Sequence, residues 1–408
     1  MKQNTLKHKR TIASSDFCPG TARRDKIEQL LPDMRMTVHK FTARQRPTRR
    51  QDIAIFPLFS EFGSETLAPV YCIPKLMQQR YRGKYSVVAG WYGRAHLYKH
   101  LVDEFWELGE EHQTLREYCR AFHHSSRNLD ILTKKIGKAG TVVPIGEISN
   151  VAVYPILTSC PVTVNNFLCK GQMVSDDTEQ ICTKCGVTFP AAGLFSNVQK
   201  AKKSAVWLPE PSAEKLAYVE RFLSPRSVGI TVRSRKCYGR NLPASFYESL
   251  IALLKQIGYS PVWLGEKATT LECPCPDVLD FSRMPEANDL ELTMALVSKL
   301  ELTIQFWTAS TRLAGLVGTP FLLFESPDQL WDKGQEGYRL NLCSKGPKKI
   351  VAAHYLNVLN NPAYALEVVA QALEQMYNKD YSIMVGQVED PKKVEELILT
   401  NNCRVGFC

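Results

Sequence analysis

From Val228 to Glu325 the apolar and polar positions fall into blocks that occur twice: a short apolar run, a polar loop, apolar residues at helical spacing, then another short apolar run. Val228-Gly229-Ile230-Thr231-Val232 has the β-branched character of a strand buried on both faces. Ala244 to Ile257 then sets Phe246, Leu250, Leu253, Leu254 and Ile257 at helical spacing, and Gly258 ends the pattern. Pro261-Val262-Trp263-Leu264, closed by Gly265, completes a strand, helix, parallel strand unit. In the second block a helix is predicted over Asp289 to Leu300 and a strand over Leu302 to Phe306. A polar turn, Trp307-Thr308-Ala309-Ser310-Thr311-Arg312, runs into a short helix that leaves through Gly318-Thr319-Pro320. Phe321 to Phe324 is the next strand, with Glu325 at its carboxyl end.

The first half carries a similar pattern, less regularly. Asp52 to Leu58 is the first convincing strand, followed by the loop Phe59 to Glu65 and a segment, Thr66 to Tyr81, expected to be helical after Pro74. Tyr85 to Gly90 is a second strand, with Trp91 to His96 as a loop at its carboxyl end, where Arg94 and His96 could meet a ligand or simply lie on the surface. Leu97 to Leu108 carries Asp103, Glu104, Phe105, Trp106 and Glu107; Glu110 to Lys135 reads as a long helix and Thr141 to Ile145 as a strand. The pattern loosens from Ala152 to Lys203, a linker follows at Pro209 to Ser212, and Ser212 to Leu223 is a helix. Ile350 to Leu359 resembles a last strand region, and Pro362 to Tyr377 is an amphipathic helix, with Pro391 to Leu399 as one more. The chain therefore divides into a basic arm (1–50), a first α/β domain (51–210) with a cysteine-rich insertion near 158–200, a second α/β domain (211–360), and closing helices (361–408).

A length of 408 residues suits two domains with separate cores, and 44% hydrophobic against 23% charged residues excludes wholesale disorder. No run of eighteen apolar residues and no apolar stretch behind the first lysines are present, so neither a membrane span nor a secretory leader is expected, and a cytoplasmic location is. The net charge of +10 is concentrated: residues 1–50 hold thirteen Lys/Arg against four Asp/Glu. Such an arm is expected to be disordered and solvated, to track phosphates on DNA or another polyanion, or to lie on an anionic membrane surface.

The turn at Thr308 to Arg312 offers anion binding, because the first N–H groups of a helix lack internal acceptors and sit at the positive end of its dipole. Thr308, Ser310 and Thr311 add hydroxyl donors, and Arg312 adds charge. Arg233, Arg235, Lys236 and Arg240, in the loop after the first strand of this stretch, should reach the same edge of a parallel sheet.

On these residues the stretch 228–325 resembles the donor-binding domain of GT-B glycosyltransferases, most nearly the heptosyltransferase-like group, with some likeness to fucosyltransferases in the arginine-bearing loop. Val317-Gly318-Thr319-Pro320 matches the Leu-Gly-Thr-Pro with which that group's helix ends. The sequence departs from the group at Trp307, where Asp is usual, at Ala309, where Gly is usual, and at Arg312, where His is usual. The resemblance implies two Rossmann-like domains facing across a cleft, closing helices (361–408) that pack back on the first domain, a nucleotide-sugar donor whose diphosphate lies against Arg233, Arg235, Arg240 and the Thr308 to Arg312 turn, and no metal requirement for catalysis. It also implies a catalytic base just after a glycine in the first loop. Glu65, with Glu61 second, stands there, and either equally suits a helix N-terminus. Glu325 could hydrogen-bond the nucleoside or be a solvated acid.

The thirteen cysteines, in a chain without a leader, point to free thiols in a reducing compartment. Cys182-Thr183-Lys184-Cys185-Gly186 has zinc-knuckle spacing, and Cys160 and Cys169 could complete a structural zinc site; unbound thiols or a redox pair are the alternatives. The rival to a transferase is a non-catalytic nucleic-acid-binding protein that uses the basic arm and this knuckle on a degenerate scaffold.

Overall fold

The computed structural model describes residues 35–59, 68–112, 135–143, 163–164, 167–168, 172–175, 179–183, 188–190, 209–232, 242–266, 270–306, 309–325, 349–354 and 362–377. Strands β1 (Met36–Lys40), β2 (Ile53–Leu58), β3 (Tyr85–Trp91), β4 (Glu104–Leu108) and β5 (Thr141–Val142) form the first sheet, in the order β1-β4-β3-β2-β5. Every residue of β2 and β3 is buried, as expected for strands covered on both faces, and the two pair in parallel from Ile53 opposite Tyr85 to Leu58 opposite Gly90. Between them lies helix α1 (Ala68–Gln79), which continues through Pro74 and does not begin after it. Proline at this point removes one intrahelical donor without ending the helix. The expected loop at Trp91 to His96 gives way to a short helix, α2 (Ala95–Tyr98). From the expected helix at Glu110 to Lys135, Glu110–His112 forms a 3₁₀ turn, while 113–134 lie outside the described residues.

The boundary expected at residue 50 moves. β1 lies inside the stretch read as a basic arm and closes the sheet as an antiparallel edge strand, with Met36 opposite Leu108 and Lys40 opposite Glu104. The segment after it follows the amino-terminal edge of the sheet, held by Phe41 N–H on the Asp103 carbonyl and by Arg44 on Asp103 Oδ2 at 2.9 Å. A buried carboxylate thus recruits a basic segment that has no hydrophobic period of its own. Residues 1–34 lie outside the described residues.

The loosely patterned region between the domains holds two small antiparallel sheets. One pairs β6 (Thr163–Val164) with β7 (Phe167–Leu168); the other orders β8 (Met173–Ser175), β9 (Glu179–Cys182) and β10 (Thr188–Pro190) as a meander.

Helix α3 (Ala213–Glu220), capped by the Ser212 hydroxyl accepting from Lys215 N–H, leads into the second sheet. Its strands are β11 (Ser227–Thr231), β12 (Ser260–Leu264), β13 (Leu279–Asp280), β14 (Leu302–Phe306), β15 (Phe321–Glu325) and β16 (Lys349–His354). All pair in parallel, in the order β13-β12-β11-β14-β15-β16. Numbered within the domain, that order is 3-2-1-4-5-6, the Rossmann arrangement. Helices α4 (Ala244–Gln256), α5 (Leu290–Lys299), α6 (Ala309–Val317) and α7 (Pro362–Tyr377) cover it. One core joins Val228, Ile230, Leu302, Ile304 and Leu322 to Phe246, Leu250 and Leu254 of α4 and to Ala365, Val369 and Leu373 of α7. The amphipathic last helix therefore docks on the second domain, where its apolar stripe finds α4, and does not cross to the first. The remainder of the closing segment, 378–408, lies outside the described residues. On the other face, α5 and α6 share a continuous core with the first domain: Leu290, Leu292, Leu296, Leu313 and Leu316 belong to the same cluster as Phe56, Leu97, Tyr98 and Phe105. The protein is thus an α/β molecule of two Rossmann-type domains, as the sequence led us to expect.

Candidate active site at the facing sheet edges

Because β11 and β14 are spatial neighbours but belong to opposite halves of the sheet, the strand order reverses between them. At such a switch point the two following connections diverge to opposite faces and leave a crevice outside the carboxyl ends of the strands. Three of the predicted features are rooted there. The loop 233–240 starts just beyond Thr231 at the end of β11, although Arg233, Arg235 and Arg240, and with them the fucosyltransferase-like loop, lie outside the described residues. Ser310, Thr311 and Arg312 occupy the first turn of α6 immediately after β14; Thr308 lies outside the described residues. Glu325 ends β15, whose Phe324 pairs with Phe306 at the end of β14. The backbone therefore brings the α6 turn, Glu325 and the root of the basic loop to one edge.

Gly318-Thr319-Pro320, the tripeptide behind the resemblance, has a structural task. Gly318 takes a φ of 87°, a left-handed conformation that favours glycine, and its N–H closes α6 on the Ala314 carbonyl. The buried Thr319 hydroxyl donates to the Val297 carbonyl of α5 at 2.6 Å, and the Pro320 carbonyl accepts from Thr303 N–H. The motif ties the exit of α6 to α5 and β14, and so fixes how the first turn of α6 meets the crevice. Within β14, Gln305 is 2% exposed; its amide donates to Thr303 Oγ1 at 3.2 Å, and its carbonyl oxygen has no hydrogen-bond partner.

The first domain meets this edge with its own carboxyl-terminal side. Gly93, after β3, has a φ of 73°, donates its N–H to Glu107 Oε2 at 3.0 Å and accepts from Leu290 N–H at 3.0 Å. A Cβ on Gly93 would fall 1.7 Å from the Asn288 carbonyl oxygen, so only glycine permits this approach. Asn288 in turn donates to Glu110 Oε1 at 2.8 Å. The glycine that follows the apolar run of β3 was the sequence signal for this junction, but nothing in the sequence says what it approaches.

Arg94 and His96, considered as ligand contacts, are both buried. His96 Nε2 lies 3.0 Å from the Pro209 carbonyl, and Nδ1 lies 3.2 Å from Glu291 Oε2 without hydrogen-bond alignment. The turn of α2 directs this imidazole into the contact between domains. Burial works to raise the Glu291 carboxyl, but the Ser212 N–H bonded to it at 2.9 Å, together with His96 and Lys99, outweighs that and holds it below the usual value. Burial lowers the neighbouring His100, assisted by His96 and Lys99. Lys215, bonded to Asp289 Oδ2 at 2.7 Å, is raised by that bond.

Glu61 and Glu65 lie outside the described residues, in the connection that leaves the carboxyl end of β2. Of the four cysteines considered for zinc, Cys182 ends β9, while Cys160, Cys169 and Cys185 lie outside the described residues.

No protein-family model matches the chain, and no curated protein does. Among solved structures it is similar to a glycosyl transferase family 9 protein from Veillonella parvula, at 10% identity and a TM-score of 0.44, over 80% of this chain and 97% of that one. It is also similar to the E. coli ADP-heptose lps heptosyltransferase II, at 14% identity and a TM-score of 0.42, over 80% and 99% of the two chains. A third similarity, at 11% identity and a TM-score of 0.28, is to the wall teichoic acid polymerase TagF, over 87% and 89%. The two-domain architecture rests on the strand order and register given above.

Proposed function

We propose that the protein is a glycosyltransferase that moves a sugar from a nucleotide-sugar donor to an acceptor hydroxyl. The observation that carries this reading is the switch-point crevice of a 3-2-1-4-5-6 sheet, with a basic loop and a hydroxyl-bearing helix turn on adjacent strands, set against the carboxyl edge of a second parallel sheet. In this reading Arg233, Arg235, Arg240 and Arg312, with Thr308, Ser310 and Thr311, hold the donor diphosphate. Their charge offsets the negative charge that grows on the leaving group, so the step needs no metal. Glu65, or Glu61 in its place, takes the proton from the acceptor hydroxyl, and Glu325 binds the nucleoside. Cys160, Cys169, Cys182 and Cys185 hold a structural zinc away from the chemistry. The acceptor class we propose is DNA or another polyanion.

The test is thermal denaturation of the full chain against a panel of nucleoside diphosphates and nucleotide sugars. One nucleotide family should raise the melting point, by the equivalent of about 2.7 kcal/mol at a hundredfold excess over Kd. Arg240→Ala and Arg312→Ala should abolish that shift while leaving the unliganded melting point in place. A folded protein that responds to no nucleotide would overturn the reading.

A further inference from the structure

The amino-terminal edge of the first sheet, opposite the crevice, is basic along its length. Residues 40–50, which begin where β1 reaches this edge opposite Glu104, contain five Lys/Arg and no Asp or Glu, which accounts for five of the nine net positive charges of the expected arm. From Phe41 onward this segment passes beneath the starts of β4 and β3 to β2. The connection from α1 to β3 adds Arg80, Arg82 and Lys84, and the one before β5 adds Lys135 and Lys138.

Two of the acids on this edge are already committed. Asp103 is buried and accepts from Thr42 Oγ1, Arg44, Ser86 N–H and Ser86 Oγ. Glu104, also buried, accepts from the Tyr85 hydroxyl and the Trp106 indole, both at 2.9 Å. Among the described residues, Arg49, Arg50, Arg82 and Lys138 are exposed and their side chains are in no ion pair. The edge spans five strands, a row of roughly 20 Å at ordinary strand spacing.

The surroundings select the partner. Arginine forks match phosphate oxygens. The rings that could stack on bases are buried and covered: Arg46 lies 4.5 Å from the centre of Trp106, and Arg44 lies 5.6 Å from that of Tyr85. Insertion into a lipid surface would need apolar side chains here, yet the exposed large ones among the described residues, Val38 and Ile257, lie off these connections.

We infer that this edge binds the phosphate backbone of double-stranded nucleic acid without reading its sequence. Strand length places the contact roughly 20 Å from the crevice. A duplex held here is a tether, and this contact does not deliver a base or sugar to the candidate active site. The inference is independent of the transferase reading.

The experiment is fluorescence anisotropy of a labelled random-sequence duplex with the full chain between 50 and 200 mM salt. Four phosphate contacts predict an affinity loss of about a hundredfold across that range. The triple variant Arg49→Glu, Arg50→Glu, Arg82→Glu should lose at least about tenfold in affinity and flatten the salt slope by two to three, on the order of one per cation removed. Its melting point and its response to nucleotides should match the parent, and Lys7→Glu, Lys9→Glu, Arg10→Glu should bind like the parent. The proposal is overturned by no duplex binding at 50 mM salt, by parent-like binding of the edge variant, or by a loss confined to the 7–10 variant. Binding to phosphatidylserine vesicles with none to the duplex would overturn it as well.

Discussion

The two sheets face each other with the same edge, yet they are held together differently. Among the described residues, the first domain buries Asp103, Glu104, Arg94 and His96, whereas the second buries only hydroxyl and amide groups such as Thr231, Thr303 and Gln305. The second sheet is a hydrophobic sandwich of uniform strand direction. The first uses ionised groups to attach an antiparallel edge strand and a basic connection that apolar burial alone would not retain. Removing one member of a buried charged network leaves its partners unsatisfied, so such a network is costly to break at a single point.

The largest effect should therefore come from Asp103→Ala. It leaves the Ser86 N–H and hydroxyl without their acceptor and releases Thr42 and Arg44, so a loss of about 3 kcal/mol is expected in chemical denaturation. Hydrogen exchange should show β1 and the segment after it opening first. A uniform loss across both sheets would break the distinction drawn between them.

Gly229→Ala probes the second sheet by overfilling. The added methyl would stand 2.5 Å from Leu264 Cδ1 and 2.7 Å from Leu300 Cδ1, side-chain ends that can shift in part. A loss of about 2 kcal/mol is expected, read as a lower denaturation midpoint with an unchanged denaturant slope.

The smallest effect lies at the junction of the domains and depends on pH. Glu291 has a folded pKa below its unfolded value, so its contribution is full above the unfolded pKa and is lost as pH falls through the folded one. His100, lowered by burial, acts in the same sense, because the unfolded chain takes up its proton first as pH drops below the usual histidine range. Lys215, raised by Asp289, loses its contribution only as pH climbs through its folded value in the alkaline range. Stability measured from pH 7 to pH 4 should decline, and Glu291→Gln should flatten the lower part of that curve. An unchanged slope in the variant would show that the Ser212 and His96 contacts do not contribute to docking.

How much of this was legible follows the same division. Strands β11, β12, β14 and β15 and helices α4, α5 and α7 lie within a residue or two of the expected bounds, because each is long enough to show its period, and Gly258, Gly265 and Gly318 mark the ends of α4, β12 and α6. β4, Glu-Phe-Trp-Glu-Leu, was not recognised as a strand, since it buries Glu104 where alternation calls for an apolar residue. β1 went unseen because Met-Thr-Val-His-Lys is a half-covered edge strand with no core face. In the candidate site, the turn after β14 and the acid ending β15 were readable from their position after apolar runs. The burial of His96 was not, because its partners, Pro209 and Glu291, are distant in sequence.

The sequence by itself determined the two α/β halves, the parallel direction of the second sheet, and the placing of a basic loop and a hydroxyl-rich turn at strand ends, because local periodicity and glycine punctuation carry that information. Only the tertiary structure decided that residues 36–50 belong to the first sheet and that Gly93 and His96 join the domains. It also placed Arg44, Arg46, Arg49 and Arg50 along the edge of the first sheet opposite the crevice. Those outcomes depend on a buried carboxylate finding its donors and a glycine accepting a close approach, and such pairings are set by what the fold brings together from far apart in the chain.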